Sequence, residues 1–489
     1  MTEYFIGVDV GTGSVKAVAV SREGIVLSNS QIHYQHKKMI SAFEHNPEDV
    51  YTAFIQTLRK LAGEISARPL SICLSTAMHS LILIGRNNEP LTPMITWADD
   101  RAADIAEKTR RSSIGEMLYE TTGTPIHAMS PLFKIMWFQE NAAELFCNTH
   151  RFISIKEYIW YKLFGVYEAD HSIASASGMM NIMKCEWDSN ALGLAAITSD
   201  QLSSLVSVRH SRISCRAPEL KDTDLKDAKF IIGSSDGCMA NLGSFATDTG
   251  KAALTIGTSG AIRIASRTPI YNFEAMTFNY RLDENLFICG GPTNNGGVIL
   301  KWYVESLLGR SLQNIKDYDD ILGQAKNIGA GSDGLIFLPY LLGERAPHWN
   351  NKASGVFFGI DFRHNQSHFT RAVIEGIGMA LYDISRAIDL DEHSIQAIHV
   401  SGGFVHSKIW LQILADIFGC KLVLMNTTDA SALGAAYLAM MEDGVITDIN
   451  ELNKEFVAEF LPNADMHSLY RNHFERFRDL YASVKSLMK

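Results

Sequence analysis

Two short segments rich in glycine and hydroxyl side chains have the composition of phosphate-binding turns. They consist of Gly11, Thr12, Gly13 and Ser14 near the N-terminus, and of Gly257, Thr258 and Ser259 in the middle of the chain. Glycine lets a backbone approach a polyphosphate closely, and successive N–H groups and hydroxyls can bind its oxygens. One such turn alone is also typical of an ordinary loop. A pair, one opening each half of the chain, favours a duplicated nucleotide-binding unit.

Two other nucleotide motifs do not fit the sequence. A dinucleotide fingerprint would need a third glycine where Lys16 stands, and no GK[ST] run of a Walker A loop occurs. The apolar runs on both sides of each turn instead predict β-hairpins. Lys16, on the second strand of the first hairpin, is included among the residues expected to contact a nucleotide.

Two aspartates could do chemistry beside these turns. Asp9 lies inside a predicted buried strand just before the first turn, where a carboxylate is costly unless it is paired or binds a metal. We favour a magnesium ligand over an aspartate that stabilises its own turn, because Mg²⁺ takes few carboxylates and keeps several waters. Asp236 ends the apolar run FIIGSS and could accept a hydroxyl proton during phosphoryl transfer. It could equally be a turn residue, and spacing alone leaves both interpretations open.

A third constellation has the composition of a site for a polyhydroxylated ligand. It comprises His79, after Met78, and the block Trp97, Ala98, Asp99, Asp100 and Arg101. An aromatic surface suits a carbon skeleton, and fixed donors and acceptors suit hydroxyls. The same acidic pair would also suit the first turn of a helix, and both interpretations can hold together.

The elements around these motifs repeat in the two halves. The first half continues with a helix capped at Asn46-Pro47 and then the strand SICLST. The second half contains a long helix, the strand AIHVSGGF, a helix with Ser407 as N-cap and Gly419 as its stop, and the small-residue helix ASALGAAYLAMM. We therefore predict two domains, residues 1–245 and 246–489.

Composition narrows the class of protein. The 489 residues are 46% hydrophobic and 20% charged, with a net charge of −10, which predicts a folded chain of two or three domains. An acidic chain without a basic cluster argues against nucleic-acid partners, and no apolar run is long enough to span a membrane. The seven cysteines form no CxxC pair, and no signal peptide is evident, so we expect a cytoplasmic protein. A homodimer stays open.

The order of motifs along the chain resembles the FGGY family of carbohydrate kinases. The resemblance rests on GVDVGTGSVKA, STAMHS, TWADDRA, GSSDG, TIGTSGA, LPYLLGERAPHW, SGVFFGIDFRHNQSHFTRAVIEG, VSGGF and DASALGAAYLA. It implies an α/β fold of two ribonuclease H-like domains, of the actin, Hsp70 and hexokinase type, with a deep interdomain cleft.

The resemblance also implies roles for individual residues. The two glycine turns would hold the phosphates of ATP, and Gly402 and Gly403 would lie against the adenosine, with Ser407 nearby. Asp236 would be the general base, and Asp9 would help to position Mg²⁺.

The acceptor implied by the resemblance is a sugar or sugar acid. The stretches TWADDRA, TTGTPIHAMSPLFKI and GPTNNGGVILKWY look most like gluconate kinases, and xylulose kinases usually carry Gln where Ala77 stands. The residues that would face the acceptor or its neighbourhood are His79, Asp99, Asp100 and Arg101. The candidates for contact with an acid group are Arg101, His127, Lys134 and Arg345. The alternatives are a kinase of xylulose, ribulose or glycerol and, outside that class, a non-catalytic ATP clamp like actin or Hsp70.

Overall fold

A computed structural model describes residues 3–34, 43–311, 315–390, 394–426, 429–452 and 456–488. Its first half forms a six-stranded mixed sheet. In order across the sheet, the strands are Ser211–Arg212, Lys229–Ser235, Pro69–Thr76, Tyr4–Val10, Ser14–Ser21 and Val26–His33. The first hairpin is antiparallel, and its first strand pairs in parallel with Pro69–Thr76.

The second half repeats this arrangement in a seven-stranded sheet. The strands, in order, are Phe278–Asp283, Leu286–Thr293, Gly260–Ser266, Lys251–Ile256, Ala397–Ser401, Lys421–Met425 and Phe456–Phe460. Here too an antiparallel hairpin carries the glycine turn, and its first strand pairs in parallel with the next one, Ala397–Ser401. The predicted duplication of the hairpin is confirmed.

Short strand pairs order the segments between the main strands. They are Glu44–His45 with Met94–Ile95, Ile82–Ile84 with Arg151–Ile153, Glu168–Asp170 with Ser204–Val206, Met180–Asn181 with Glu186–Trp187, and Ile336–Leu338 with Val356–Phe358.

Helices cover the sheets and fill the connections. In the first half they are Pro47–Gly63, Ala103–Arg110, Gly115–Thr122, Pro131–Asn141, Ala143–Asn148, Ile155–Phe164, His171–Ser175, Ser189–Leu194 and Asp236–Gly243. In the second half they are Gly297–Trp302, Ile315–Leu322, Gln366–Ala387, Lys408–Phe418, Ala430–Glu442 and Ala464–Val484. Local sequence explains several ends: Asn46 and Ser407 cap their helices, and Gly419 ends one with a φ of 61°.

One second-half helix packs directly against the first sheet. Ala430–Glu442 lies on strands Tyr4–Val10 and Pro69–Thr76 and on helix Asp236–Gly243. A Cβ atom on Gly7 would lie 1.8 Å from the Ala432 carbonyl oxygen, so only glycine permits this approach. The small-residue helix predicted from the sequence is present, and its small side chains permit this close packing.

The helix Asp236–Gly243 joins the two halves of the molecule. It follows strand Lys229–Ser235 of the first sheet and also packs against four strands of the second sheet. Each half is a mixed sheet flanked by helices, as predicted, and residue 236 lies where they meet. Among the described residues, we find no helix with the length and apolar character needed to cross a membrane.

Candidate active site

Asp236 occupies the first position of the helix that joins the halves. Its Oδ1 accepts a hydrogen bond of 2.7 Å from the Gly237 backbone N–H, which fixes the carboxylate at the helix N-terminus. Burial raises its pKa, while the positive charges of Arg263 and Lys156 act in the opposite direction. The Asp236 carboxylate is therefore partly dehydrated, is held by a backbone N–H group, and feels two positive charges that favour its ionised form.

Asp9 lies beside Asp236 on the first strand of the first hairpin. Its Oδ1 accepts a hydrogen bond of 2.7 Å from Ser75 Oγ on the neighbouring parallel strand. Burial, and next the negative charge of Asp236, raise the pKa of Asp9 to about 7. A carboxylate whose ionisation is disfavoured by a neighbouring carboxylate creates a place where a divalent cation would be stabilised.

The sequence led us to expect that Lys16 contacts a nucleotide, but in the structure its side chain is paired within the protein. Its Nζ donates to Asp429 Oδ1 at 2.5 Å, so the ammonium is paired within the protein. The ion pair ties the first hairpin to the start of helix Ala430–Glu442. The sequence could not show this pairing, because Asp429 is remote in sequence and is brought to the hairpin only by the fold, and the contact of Lys16 with a nucleotide stays a prediction.

The first glycine turn is held by hydrogen bonds on all sides. The Gly11 N–H donates to the Ser14 carbonyl oxygen at 3.0 Å, and Gln31 Nε2 donates to Ser14 Oγ at 3.0 Å. Trp97 Nε1 donates to Thr12 Oγ1 at 3.1 Å. The turn is therefore rigid, and the bond from Trp97 links it to the block expected to face a sugar.

The second glycine turn has a comparable internal bond and also supports a helix. The Gly257 N–H donates to the Ser259 carbonyl oxygen at 2.9 Å. The carbonyl oxygens of Gly257 and Thr258 accept from the first two N–H groups of helix Gly297–Trp302. Gly257 and Thr258 are exposed, as a turn that receives a ligand must be.

The glycine pair after strand Ala397–Ser401 lies against this second turn. A Cβ atom on Gly402, whose φ is 111°, would lie 2.2 Å from the Ile256 carbonyl oxygen, so glycine is required there. Gly403 is exposed. Ser407, in contrast, is buried, and its Oγ accepts from the Trp410 N–H at 3.3 Å as a helix N-cap. The N-cap prediction is confirmed, and the predicted contact of Ser407 with a nucleotide gains no support.

His79 is buried, and both of its ring nitrogens are occupied by hydrogen bonds within the protein. Its Nδ1 lies 2.7 Å from the Ala176 carbonyl oxygen, which can only accept, so Nδ1 is the donor and Nε2 accepts from Tyr280 Oη at 3.1 Å. Burial, and next the charge of Lys134, lower the pKa of His79 to about 3. The imidazole is therefore neutral and holds the loop that carries Met78.

The adjacent carboxylates of the TWADDRA block point in different directions. Asp99 is buried and binds Arg101, whose Nε and Nη2 donate at 2.8 Å each to its two oxygens. Arg101 also binds Glu44 and lies 5.1 Å from the Trp137 ring centroid. Asp100 is exposed, and its carboxylate has no partner among the described residues. Asp99 and Arg101 thus neutralise each other, and the predicted contact of Arg101 with the acceptor gains no support from this pairing.

Lys134 is also occupied within the protein. It is fully buried, and its three ammonium protons are donated at 2.8 Å to the carbonyl oxygens of His79, Thr96 and Met129. Burial lowers its pKa to about 7. Lys134 therefore fixes the loops that carry the sugar-facing block, and its predicted contact with the acceptor gains no support from these bonds.

Arg345 is a predicted cation that keeps a donor atom without a partner inside the protein. Its guanidinium carbon lies 4.9 Å from the centroid of the Trp97 ring, and Nη2 donates to the Thr293 carbonyl oxygen at 3.1 Å. Its Nε is buried without a hydrogen-bond partner. Burial lowers the pKa of Arg345 to about 10, so it keeps its charge at neutral pH.

His127 lies near Arg345 at the side of the cleft. Its Nδ1 accepts from the Met129 N–H at 3.2 Å, and its ring centroid lies 5.0 Å from that of Trp349. Burial, and next the charge of Arg345, lower the pKa of His127 to about 4, so the ring is neutral. It also lines a cavity of about 670 Å³ between helix Ala103–Arg110 and residues 347–352.

Sequence reasoning missed Arg263 and Tyr280. Arg263 lies on the second strand of the second hairpin, and its Nε would be 3.4 Å from a Cβ atom placed on Gly237. Tyr280, on strand Phe278–Asp283, binds His79. The one available signal was a charged residue inside the otherwise apolar run AIRIA.

Similarity to known proteins identifies the protein family to which this chain belongs. Residues 4–243 match the N-terminal domain, and residues 252–442 the C-terminal domain, of the FGGY family of carbohydrate kinases. A gluconokinase of Bacillus subtilis (strain 168) is 38% identical over 490 residues, covering 98% of this chain and 94% of the relative. The chain therefore belongs to the FGGY family and is a carbohydrate kinase.

Two solved structures are similar over nearly the whole chain. A ligand-bound xylulose kinase from Lactobacillus acidophilus has a TM-score of 0.93 at 31% identity and covers 99% of both chains. A gluconate kinase from the same species has a TM-score of 0.91 at 31% identity and covers 99% of this chain and 98% of its own. The predicted fold of two actin- and hexokinase-type domains is confirmed.

Proposed function

We propose that this kinase transfers the γ-phosphoryl group of ATP to the terminal hydroxyl of D-gluconate, giving 6-phosphogluconate. The observation that carries the choice of acceptor is Arg345. A guanidinium that is buried against Trp97, with an unpartnered Nε, is stabilised by an anionic group. The gluconate carboxylate supplies such a group, whereas a neutral sugar does not.

Asp236 is the proposed general base. The acceptor's terminal oxygen gives its proton to Asp236 and forms a bond to the γ-phosphorus, while the bond from that phosphorus to the bridging oxygen breaks. The electron pair of the broken bond leaves with ADP. The Gly237 N–H holds the carboxylate in place, and burial keeps it basic enough to take the proton.

The two glycine turns and the Gly402-Gly403 pair are the proposed binding surface for ATP. Thr12, Gly13, Ser14, Gly257, Thr258 and Ser259 would bind phosphate oxygens. The internal bonds of both turns support this role, because a preorganised backbone loses little freedom on binding. The bond from Trp97 to Thr12 would couple the phosphate turn to the sugar site.

Asp9 is the proposed protein contact of Mg²⁺. Its half-buried carboxylate, which feels the negative charge of Asp236, has the chemistry of a cation site. Among the described residues, no three or more His, Cys, Asp or Glu side chains cluster as a metal cage, which fits an ion held by one carboxylate, waters and phosphates. Bound Mg²⁺ would neutralise charge that develops on the phosphates.

A kinase of xylulose or a related neutral acceptor is the second candidate. The similarity to the L. acidophilus xylulose kinase favours it, and the phosphate machinery would be the same. The two candidate functions differ at Arg345, because a neutral acceptor gives this guanidinium no anion to bind. We also propose the cytoplasm as the location, because the cysteines show no pairing pattern and the donor is ATP.

A coupled ADP-release assay with a panel of acceptors tests the proposal. The panel contains gluconate, xylulose, ribulose and glycerol, each with ATP and Mg²⁺. We expect gluconate to give the highest kcat/KM and 6-phosphogluconate as the product. A higher kcat/KM for any neutral acceptor would refute the assignment.

A further inference from the structure

Arg263 reaches from the nucleotide side of the cleft to the proposed base. Its Nη1 donates to Thr255 Oγ1 at 3.4 Å, and Thr255 Oγ1 lies 3.1 Å from Ser401 Oγ. These hydroxyls directly precede the second glycine turn and the Gly402-Gly403 pair. The other edge of the guanidinium lies against Gly237, next to Asp236.

This guanidinium forms no ion pair among the described residues, and the largest effect of any charge on it is that of Asp236, the proposed base. In the described part of the chain, no carboxylate forms an ion pair with Arg263, and its Nε is buried without a hydrogen-bond partner. The other basic side chain near the glycine turns, Lys16, is paired with Asp429. A half-buried cation held in this state is costly, and its cost is offset when an anionic group arrives.

The position of Arg263 indicates which anionic group that is. Asp236 marks the reacting end of the acceptor, and the carboxylate of a sugar acid lies at the opposite end of its carbon chain. Arg345, over Trp97, is available for that carboxylate. Arg263 lies between the base and the second phosphate turn, which is the path of the phosphoryl group.

We propose that Arg263 is a catalytic residue that binds the phosphoryl group during transfer. As the acceptor oxygen bonds to the γ-phosphorus and the bridging oxygen leaves with its electron pair, negative charge stays on the three remaining oxygens. A preorganised guanidinium stabilises that charge at no cost of reorganisation. This inference rests on the proposed role of Asp236 as base, and it holds for any acceptor.

The experiment compares Arg263→Lys, Arg263→Met and Arg263→Gly with Arg267→Met, an exposed arginine at the end of the same hairpin. For each purified protein, kcat and KM are measured for ATP and for the acceptor that the wild type uses best. Thermal unfolding reports folding. Guanidinium chloride at low concentration is added to Arg263→Gly to test whether the missing group can be replaced.

We expect Arg263→Met to lower kcat by about 100-fold or more, with little change in either KM. Arg263→Lys should retain part of kcat, and added guanidinium should raise the activity of Arg263→Gly. Rescue separates a chemical role from a structural one, because a misfolded cleft would not be restored by a small cation.

Three results would overturn the proposal. A kcat within about tenfold of wild type in a folded Arg263→Met would remove the catalytic role. A raised acceptor KM with unchanged kcat would assign Arg263 to acceptor binding. A loss that disappears at high pH would mean that Arg263 only keeps Asp236 ionised, together with Lys156 and against the effect of burial.

A parallel variant separates this inference from the role of Asp236. If Asp236→Asn keeps near-normal turnover, the assignment of the base is wrong whatever Arg263 does. If Asp236→Asn is inactive and Arg263→Met is active, only the inference about Arg263 fails.

Discussion

The two glycine hairpins share a backbone design but carry opposite charges. In the first hairpin, Asp9 pairs across the strands with Lys16, whose charge is already bound to Asp429. In the second hairpin, Thr255 pairs with Ala261, and Arg263 follows two residues later on the same face without an ion pair among the described residues. Among the described residues, the first half therefore contributes a carboxylate and the second half a guanidinium, and neither forms an ion pair.

This difference shows how a duplicated fold can serve one asymmetric reaction. The shared hairpin supplies two rigid turns for phosphates, and the residues beside the turns supply different chemistry. A carboxylate suits a metal ion on one side of ATP, and a guanidinium suits the phosphoryl group on the other. Asp236, on the helix that contacts both sheets, lies between them.

In this account both glycine hairpins act on one reaction, and Asp236 is its proposed general base. Asp236→Asn should lower kcat by about 100-fold or more, because the acceptor proton then has no carboxylate to receive it. Affinity for ATP should be largely preserved. Steady-state kinetics and ATP binding by calorimetry check both statements, and near-normal turnover would contradict them.

Replacing Asp9 tests whether the first hairpin contributes a contact to Mg²⁺. Asp9→Asn should raise the Mg²⁺ concentration needed for half-maximal activity by roughly tenfold or more, since it removes the charge that would hold the ion's water shell. Titration with Mg²⁺ at saturating ATP and acceptor measures the shift. An unchanged Mg²⁺ requirement would show that the first hairpin contributes no metal contact.

The variants Gly13→Ala and Gly257→Ala test whether both glycine turns bind the phosphates of ATP. A Cβ atom meets nothing within 4 Å at either position, so both variants should fold normally. If both turns bind phosphates through their backbones, each variant should raise the KM for ATP a few-fold, because the methyl group occupies ligand space. A change at only one turn would mean that one hairpin alone binds the nucleotide.

The smallest expected effect is on stability and follows from the pKa of Asp9. Its pKa is raised to about 7, against roughly 3.9 in an unfolded chain, so the folded state binds an extra proton between these values. The free energy of unfolding of the ligand-free protein therefore falls as pH rises through this range. Asp9→Asn should raise Tm by a few degrees at pH 8, with little effect near pH 4.

Thermal unfolding of the Mg²⁺-free protein at both pH values measures this difference. Asp479→Asn, an exposed position on the last helix, is the control and should not change the pH dependence. A lower or unchanged Tm of Asp9→Asn at pH 8 would contradict the raised pKa of Asp9.

The sequence predicted the fold well because its signals are local. Apolar runs around glycine turns predicted both hairpins, and the capping residues Asn46 and Ser407 predicted helix starts that the structure has. The family resemblance supplied the two-domain arrangement. The division at residues 1–245 and 246–489 stays a prediction.

The site was predicted less completely because side-chain partners depend on the fold. Lys16, Arg101 and Lys134 looked like available cations, but each is bound by groups that pattern and spacing could not assign to it. Asp99 and Asp100 were indistinguishable until one proved buried and the other exposed. Arg263 was overlooked because no motif marks a single charge on a strand.

The central claim is that the cleft accepts a sugar acid through Arg345. The most direct measurement is kcat/KM for gluconate and for glucitol, the neutral polyol of the same length, with the wild type and with Arg345→Met. We predict that the wild type prefers gluconate by about 100-fold or more and that Arg345→Met loses most of this preference through a higher KM for gluconate. Equal kcat/KM for the two acceptors in the wild type, or an unchanged preference in Arg345→Met, would contradict the claim.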